Sequence, residues 1–123
     1  MRILVVEDDD LLREFLLEIL RAGGYEVLAA SHGEEALQCL RAQAIDILVT
    51  DLVMPQCDGV ALIAQTKRHH PQLRIIAMSG RSRNDLDVDS LQLVRALGAD
   101  VTLQKPFTIE QMEAAIAQLT IRQ

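Results

Sequence analysis

Five polar residues, Glu7, Asp8, Asp51, Ser79 and Lys105, each stand at or just beyond the end of a short apolar run. The runs are Ile3-Leu4-Val5-Val6, Ile45 to Val49 with Asp46 inside it, Ile75-Ile76-Ala77-Met78 and Val101-Thr102-Leu103. Each reads as a β-strand, and the parallel strands of an open α/β sheet present their carboxyl ends to a common crevice. Three carboxylates, a hydroxyl and an ammonium gathered there describe a magnesium-assisted phosphoryl site.

The chemistry follows from the residue types. Glu7 and Asp8 beside Asp51 would repel strongly unless a hard divalent cation, which takes oxygen ligands, sat among them. Magnesium fits best, held by one or two carboxylates, a backbone carbonyl and phosphate oxygens, with water completing its octahedron. Asp51 can then act as a nucleophile, because a carboxylate needs no general base and the metal screens its charge against an incoming phosphoryl group. The product is an acyl phosphate. Lys105 would pair with phosphate oxygens as a point charge, and Ser79 would donate a hydrogen bond to one of them. Taken singly, a Lys before Pro or a Ser before Gly is an ordinary turn residue. Asp9 and Asp10 read as acids that offset a helix dipole.

Strand-like and helix-like segments alternate along the whole chain, five of each, which predicts a parallel sheet covered by helices on both faces. Leu11, Leu12, Phe15, Leu16, Ile19 and Leu20 recur at helical spacing after Asp9 or Asp10 as cap, and Gly23-Gly24 stops the run. Tyr25 to Ala29 reads as the second strand. Ser31 with Glu34 is a capping-box pattern for a helix to about Ala42. The third strand ends at Asp51, and Asp58-Gly59 opens a helix that closes at His69-His70-Pro71. The fourth strand covers Leu73 to Met78, a helix runs from Leu86 to Leu97 and ends at Gly98, and Thr108 with Gln111 caps a last helix through Leu119. A single domain over 1–123 is expected.

Composition excludes several function classes. Twelve basic against eighteen acidic residues leave a net charge of -6, which repels phosphate backbones and argues against direct nucleic-acid binding. Phe15, Tyr25 and Phe107 are the only Phe, Tyr or Trp residues, too few for a base-stacking platform. Cys39 and Cys57 sit in no metal-type spacing and suit a reduced compartment. No signal peptide or membrane span is read, so a soluble cytoplasmic protein is expected. His69-His70 is not a metal pair, because adjacent helical side chains diverge by about 100 degrees, and histidines near a helix C-terminus are favoured by the dipole. Cys57 reads as an ordinary loop thiol near the site.

Four stretches, in order, resemble a receiver domain of bacterial two-component response regulators. They are Ile3-Leu4-Val5-Val6-Glu7-Asp8; Thr50-Asp51-Leu52-Val53-Met54-Pro55 with Asp58-Gly59; Ile76-Ala77-Met78-Ser79-Gly80; and Gly98-Ala99-Asp100 leading to Lys105-Pro106-Phe107. The resemblance implies a three-layer, doubly wound, five-stranded parallel sheet of the flavodoxin-like, CheY-like kind, strand order 2-1-3-4-5. It implies that Asp51 accepts phosphate from a phosphohistidine of a sensor histidine kinase or phosphotransfer protein, and that the phosphorylated domain changes its binding to a downstream protein target. Magnesium would be held by Asp8, Asp51 and the Val53 carbonyl, with Glu7 acting through water. Ser79 would be the switch hydroxyl, Lys105 the phosphate-pairing lysine and Lys105-Pro106 a cis bond. A monomer or weak homodimer is expected, without membrane or direct nucleic-acid contact.

Two features depart from the pattern. Thr102 stands where many receivers carry an aromatic switch residue, and Arg81 to Ser90 reads as a loop several residues longer than usual. Two rival functions share parts of the site. A phosphatase of haloacid-dehalogenase type also uses a strand-end Asp, magnesium, a hydroxyl and a Lys, but wants a second Asp where Val53 stands. A phosphorylation-independent interaction domain would have no use for the five polar residues.

Overall fold

The computed structural model describes residues 1–54, 57–79 and 88–121. Its elements are β1 (Arg2–Val6), α1 (Asp10–Ala22), β2 (Glu26–Ala30), α2 (Gly33–Ala42), β3 (Ile47–Asp51), β4 (Val53–Met54), β5 (Cys57–Asp58), α3 (Gly59–His69), β6 (Arg74–Ser79), α4 (Val88–Leu97), β7 (Val101–Gln104) and α5 (Ile109–Ile121). Five strands form one parallel sheet in the order β2-β1-β3-β6-β7, while β4 and β5 make a separate two-stranded antiparallel ribbon. Counting the strands of the large sheet alone, this is the expected 2-1-3-4-5.

Successive strand residues point to opposite faces, so a sheet covered on both sides needs strands that are apolar throughout. On one face Ile3, Val5, Ile47, Val49, Ile76 and Met78 meet Leu16 and Leu20 of α1 and Met112 and Ile116 of α5. On the other, Leu4, Val6, Leu48, Ile75 and Ala77 meet Leu40 of α2, Leu62 and Ile63 of α3 and Val94 of α4. Each such Leu or Ile contributes about 1.5–3 kcal/mol by leaving water, which makes the sheet the rigid support of the polar residues at its edge.

Local signals set several helix ends. The Asp9 side chain accepts hydrogen bonds from the Leu11 and Leu12 amides. Gly24 ends α1 with φ 95, a left-handed conformation that glycine adopts without steric cost. Thr108 and Gln111 form a reciprocal capping box, with bonds of 2.8 and 3.0 Å.

Elsewhere tertiary bonds moved the boundaries. The second strand is Glu26–Ala30 rather than Tyr25 to Ala29. The third starts at Ile47, because the Asp46 carboxylate turns to accept the Arg2 amide at 2.8 Å and Asp46 becomes the lead-in. At α2 the capping residue is His32, and the glutamate that bonds back to Ser31 is Glu35, not Glu34. The ribbon of β4 and β5 was not foreseen, and it places the Cys57 backbone in a strand. Val88 to Ser90, covered both by the helix read from Leu86 and by the loop read to Ser90, are helical. The rest of that loop, Arg81 to Asp87, lies outside the described residues, as does the helix start read at Leu86.

Candidate functional site

Register aligns the strand ends. Val6 pairs with Thr50, Asp51 with Met78, and Ser79 with Gln104, so Glu7, Asp51, Ser79 and Lys105 emerge at one edge of the sheet. The Lys105 amide donates to the Ser79 carbonyl at 2.8 Å. From the end of β7 the lysine side chain reaches back toward β1, three strand spacings or about 14 Å away. Its Nζ lies 3.1 Å from Asp51 Oδ2 and 2.9 Å from Glu7 Oε1. Glu7, Asp51 and Ser79 are 1%, 5% and 3% exposed. The Lys105-Pro106 bond is cis, as expected.

Burial of charge shapes the protonation of this triad. The Glu7 carboxyl is pushed above its ordinary range, chiefly by burial and further by the charge of Asp51, against the pull of the Lys105 and Asp9 hydrogen bonds. For Lys105 burial is also the largest single influence and would lower the pKa. The hydrogen bond to Glu7 and the charges of Asp51 and Glu7 together outweigh it, and the ammonium is held above its usual value. The lysine therefore stays charged, bridging two buried carboxylates.

Glu7, Asp8 and Asp51 each offer a carboxylate oxygen, and the three oxygens lie within 4.8 Å of one another. Asp8 is exposed, which leaves the cluster open to solvent on one side. Three oxygen donors carrying more negative charge than one ammonium can balance suit a hard divalent cation. Val53, the source of the expected carbonyl ligand, is two residues beyond Asp51 in β4.

The Asp51 backbone is pinned from several directions. The Leu52 amide donates to the Met78 carbonyl at 2.9 Å, the Gly59 amide to the Leu52 carbonyl at 3.0 Å, and the Thr50 hydroxyl to the Asp51 carbonyl at 3.0 Å. A Cβ on Gly59 would lie 2.4 Å from the Asp51 carbonyl oxygen and 2.5 Å from Leu52 Cα. Only a glycine lets α3 start this close to the acceptor. In the sequence Gly59 reads as a helix opening and, with Asp58, as part of the receiver pattern, but neither reading says why the chain needs glycine there. Arg13 carried no site role in the sequence, yet its guanidinium donates to the Glu7 carbonyl at 2.7 Å and pairs with Asp10. The sequence offered only the i,i+3 spacing of Asp10 and Arg13.

The remaining candidates lie apart from this edge. His69 is in the last turn of α3. Burial raises the Cys39 thiol on α2, which keeps it protonated and unreactive. The Cys57 side chain is not among the described groups. A concavity of about 790 Å³ opens at the opposite end of the sheet, beside Arg41, Asp46, His70 and Arg74, and contains none of the five predicted site residues.

The response regulator receiver domain family matches residues 3–117. The chain belongs to that family. It is 36% identical over 112 residues to the DNA-binding transcriptional regulator NtrC of Escherichia coli K12, covering 91% of this chain and 23% of NtrC. It is 37% identical over 122 residues to the response regulator MprA of Mycobacterium avium, covering 99% of this chain and 52% of MprA. The chain thus spans about a quarter to a half of these relatives. Among solved structures, a response regulator receiver domain protein from Clostridium thermocellum superposes with a TM-score of 0.89 at 29% identity, covering 98% of this chain and 94% of that one. Membership makes the domain a phosphorylation-controlled signalling switch of the two-component type. Among the described residues, no helix is long and apolar enough to cross a membrane.

Proposed function

We propose that Asp51 is the phosphoacceptor, receiving its phosphoryl group from a phosphohistidine on a sensor histidine kinase or histidine phosphotransfer protein. The observation that carries this reading is the bridge from Lys105 to both Asp51 and Glu7 beside the exposed Asp8. An Asp51 carboxylate oxygen attacks phosphorus, the phosphorus–nitrogen bond of the donor breaks, and the departing imidazole keeps the bonding pair. Lys105, already 3.1 Å from Oδ2, follows the charge onto the phosphoryl oxygens. Ser79 donates its hydroxyl to another of them, which draws it toward the acceptor and biases the domain between two conformations with different partner affinity.

Asp8, Asp51 and the Val53 carbonyl would hold magnesium, with Glu7 supporting through water. When bound, the ion screens the negative charges that meet in the transition state. Because Val53 stands two residues after Asp51, no acid is positioned there to activate water, and the domain acts as a switch rather than a multi-turnover phosphatase. Its partners are the phosphodonor and a downstream protein target, and its setting is the cytoplasm.

The test is incubation with magnesium and a small phosphodonor, read by intact mass. One acid-stable, alkali-labile phosphate per chain is expected, absent in Asp51→Asn. Undiminished labelling of that variant, or steady hydrolysis of phosphomonoesters by the wild type, refutes the assignment.

A further inference from the structure

Asp8 has the most solvent-exposed carboxylate of the acidic cluster, and no hydrogen bond to its side chain is found among the described residues. Its position therefore depends on the backbone that carries it. The residue before it is fastened at every polar atom. The Glu7 amide donates to the Ala30 carbonyl at 3.1 Å, Oε1 accepts from Lys105 at 2.9 Å and Oε2 accepts from the Asp9 amide at 3.1 Å. The Glu7 carbonyl, half of the peptide that joins Glu7 to Asp8, accepts from Arg13 Nη1 at 2.7 Å.

Arg13 makes this bond from the first turns of α1, with its second Nη on Asp10 and a side chain only 18% exposed. Its charge is also felt by Glu35 at the start of α2. The planar guanidinium thus ties the turn after β1 to the helix that follows. A lysine could supply the charge but not two donors in a fixed fork.

We propose that Arg13 is a positioning residue: by gripping the Glu7 carbonyl it sets the direction in which Asp8 presents its carboxylate, and so sets the affinity of the acidic cluster for a divalent cation. The inference rests on the metal-site reading above. Two physical effects of Arg13 oppose each other here. As a nearby positive charge it weakens cation binding, and as a clamp on the Glu7–Asp8 peptide it strengthens it. Partners that orient metal ligands typically matter by about 10–100-fold in affinity, whereas the charge of Arg13 is already offset by its ion pair with Asp10. The clamp should win.

The experiment compares wild type, Arg13→Met and Arg13→Lys by titration with manganese alone, read by electron paramagnetic resonance. Phosphorylation by a small phosphodonor is then followed as magnesium is varied, and melting in chelator confirms that each variant is folded. Both variants should bind manganese about tenfold more weakly and need correspondingly more magnesium for half-maximal labelling, while the maximal labelling rate at saturating magnesium stays within about twofold. Unchanged affinity in Arg13→Lys, or tighter binding in Arg13→Met, would show that Arg13 acts as charge alone and overturn the inference, leaving the metal site intact. If the wild type itself binds no manganese, the metal-site reading fails and takes the inference with it.

Discussion

Replacing Lys105 with methionine keeps most of the length of the side chain and removes the charge that joins two buried carboxylates. At 2.9 and 3.1 Å, with an effective dielectric constant of about 20, the two attractions amount to roughly 5 kcal/mol each before solvation is counted. The desolvation of all three groups offsets most of that. Breaking a buried pair by deleting one partner typically costs about 3–5 kcal/mol, because the surviving charge is stranded. Lys105 is 22% exposed, so the lower end, about 3 kcal/mol, is expected. For a domain of this size that corresponds to a melting temperature lower by roughly 10 °C.

The deficit should depend on pH with a definite sign. Burial already raises Glu7, and Lys105 is one of the groups that hold it down. In the variant that restraint is gone, so the folded pKa climbs further above the unfolded value. A raised folded pKa contributes stability that is complete below the unfolded value and is lost as pH rises through the folded one. Between these two values stability falls by up to about 1.4 kcal/mol per pH unit for the one proton involved. The Lys105→Met deficit should therefore be near 3 kcal/mol at about pH 7.5 and smaller at about pH 5.5, where the variant's Glu7 is more fully protonated in the folded state. Urea unfolding of both proteins in chelator, followed by far-ultraviolet circular dichroism, measures it. A deficit that is the same at both pH values, or below about 0.5 kcal/mol throughout, would refute the view that Lys105 neutralises a strained carboxylate pair.

Gly59→Ala should lower stability by about 1–3 kcal/mol, since the new methyl meets backbone atoms rather than a yielding side chain. Because the displaced atoms belong to Asp51 and Leu52, its phosphodonor labelling rate should fall as well, and a variant that loses stability but labels at the wild-type rate would contradict the packing argument. Ser79→Ala removes one charge-assisted hydrogen bond worth about 1.5–3 kcal/mol, so labelling should slow by roughly 10–100-fold without stopping. The spectral changes that accompany wild-type labelling, followed by nuclear magnetic resonance, should largely disappear, and their persistence would remove Ser79 from the switch.

The residues of the site were legible because topology, not local sequence, brings them together. Once four apolar runs are recognised as parallel strands, whatever polar residue follows each one must arrive at the same edge, and Glu7, Asp51, Ser79 and Lys105 do. Features governed by a few neighbouring residues were legible too. The Asp9 cap and the Thr108–Gln111 box depend on spacing alone. What escaped was decided across distance in the chain or by the path of a turn. Asp46 left the strand for the Arg2 amide, 44 residues away. At Ser31 the spacing rule chose Glu34, but the turn out of β2 brings Glu35 to the serine instead, and His32 takes over the cap.

Gly59 and Arg13 escaped for a different reason. A glycine that opens a helix and an arginine on a helix that begins beside an acidic loop both have ordinary explanations in sequence, and although Asp58-Gly59 belongs to the family pattern, neither residue's type or spacing says which backbone it acts on. Their roles rest on distances: 2.4 Å from a hypothetical Cβ to the Asp51 carbonyl, and 2.7 Å from a guanidinium nitrogen to the Glu7 carbonyl. In both cases the group acted upon is a backbone carbonyl beside one of the acids, not the acid itself. The site can therefore be separated into side chains that carry charge, which residue type reveals, and contacts that aim the backbone beneath them, which only geometry reveals. Substitutions of the first kind should abolish a step of the chemistry. Those of the second should leave each step possible and shift the metal concentration, stability or rate at which it occurs.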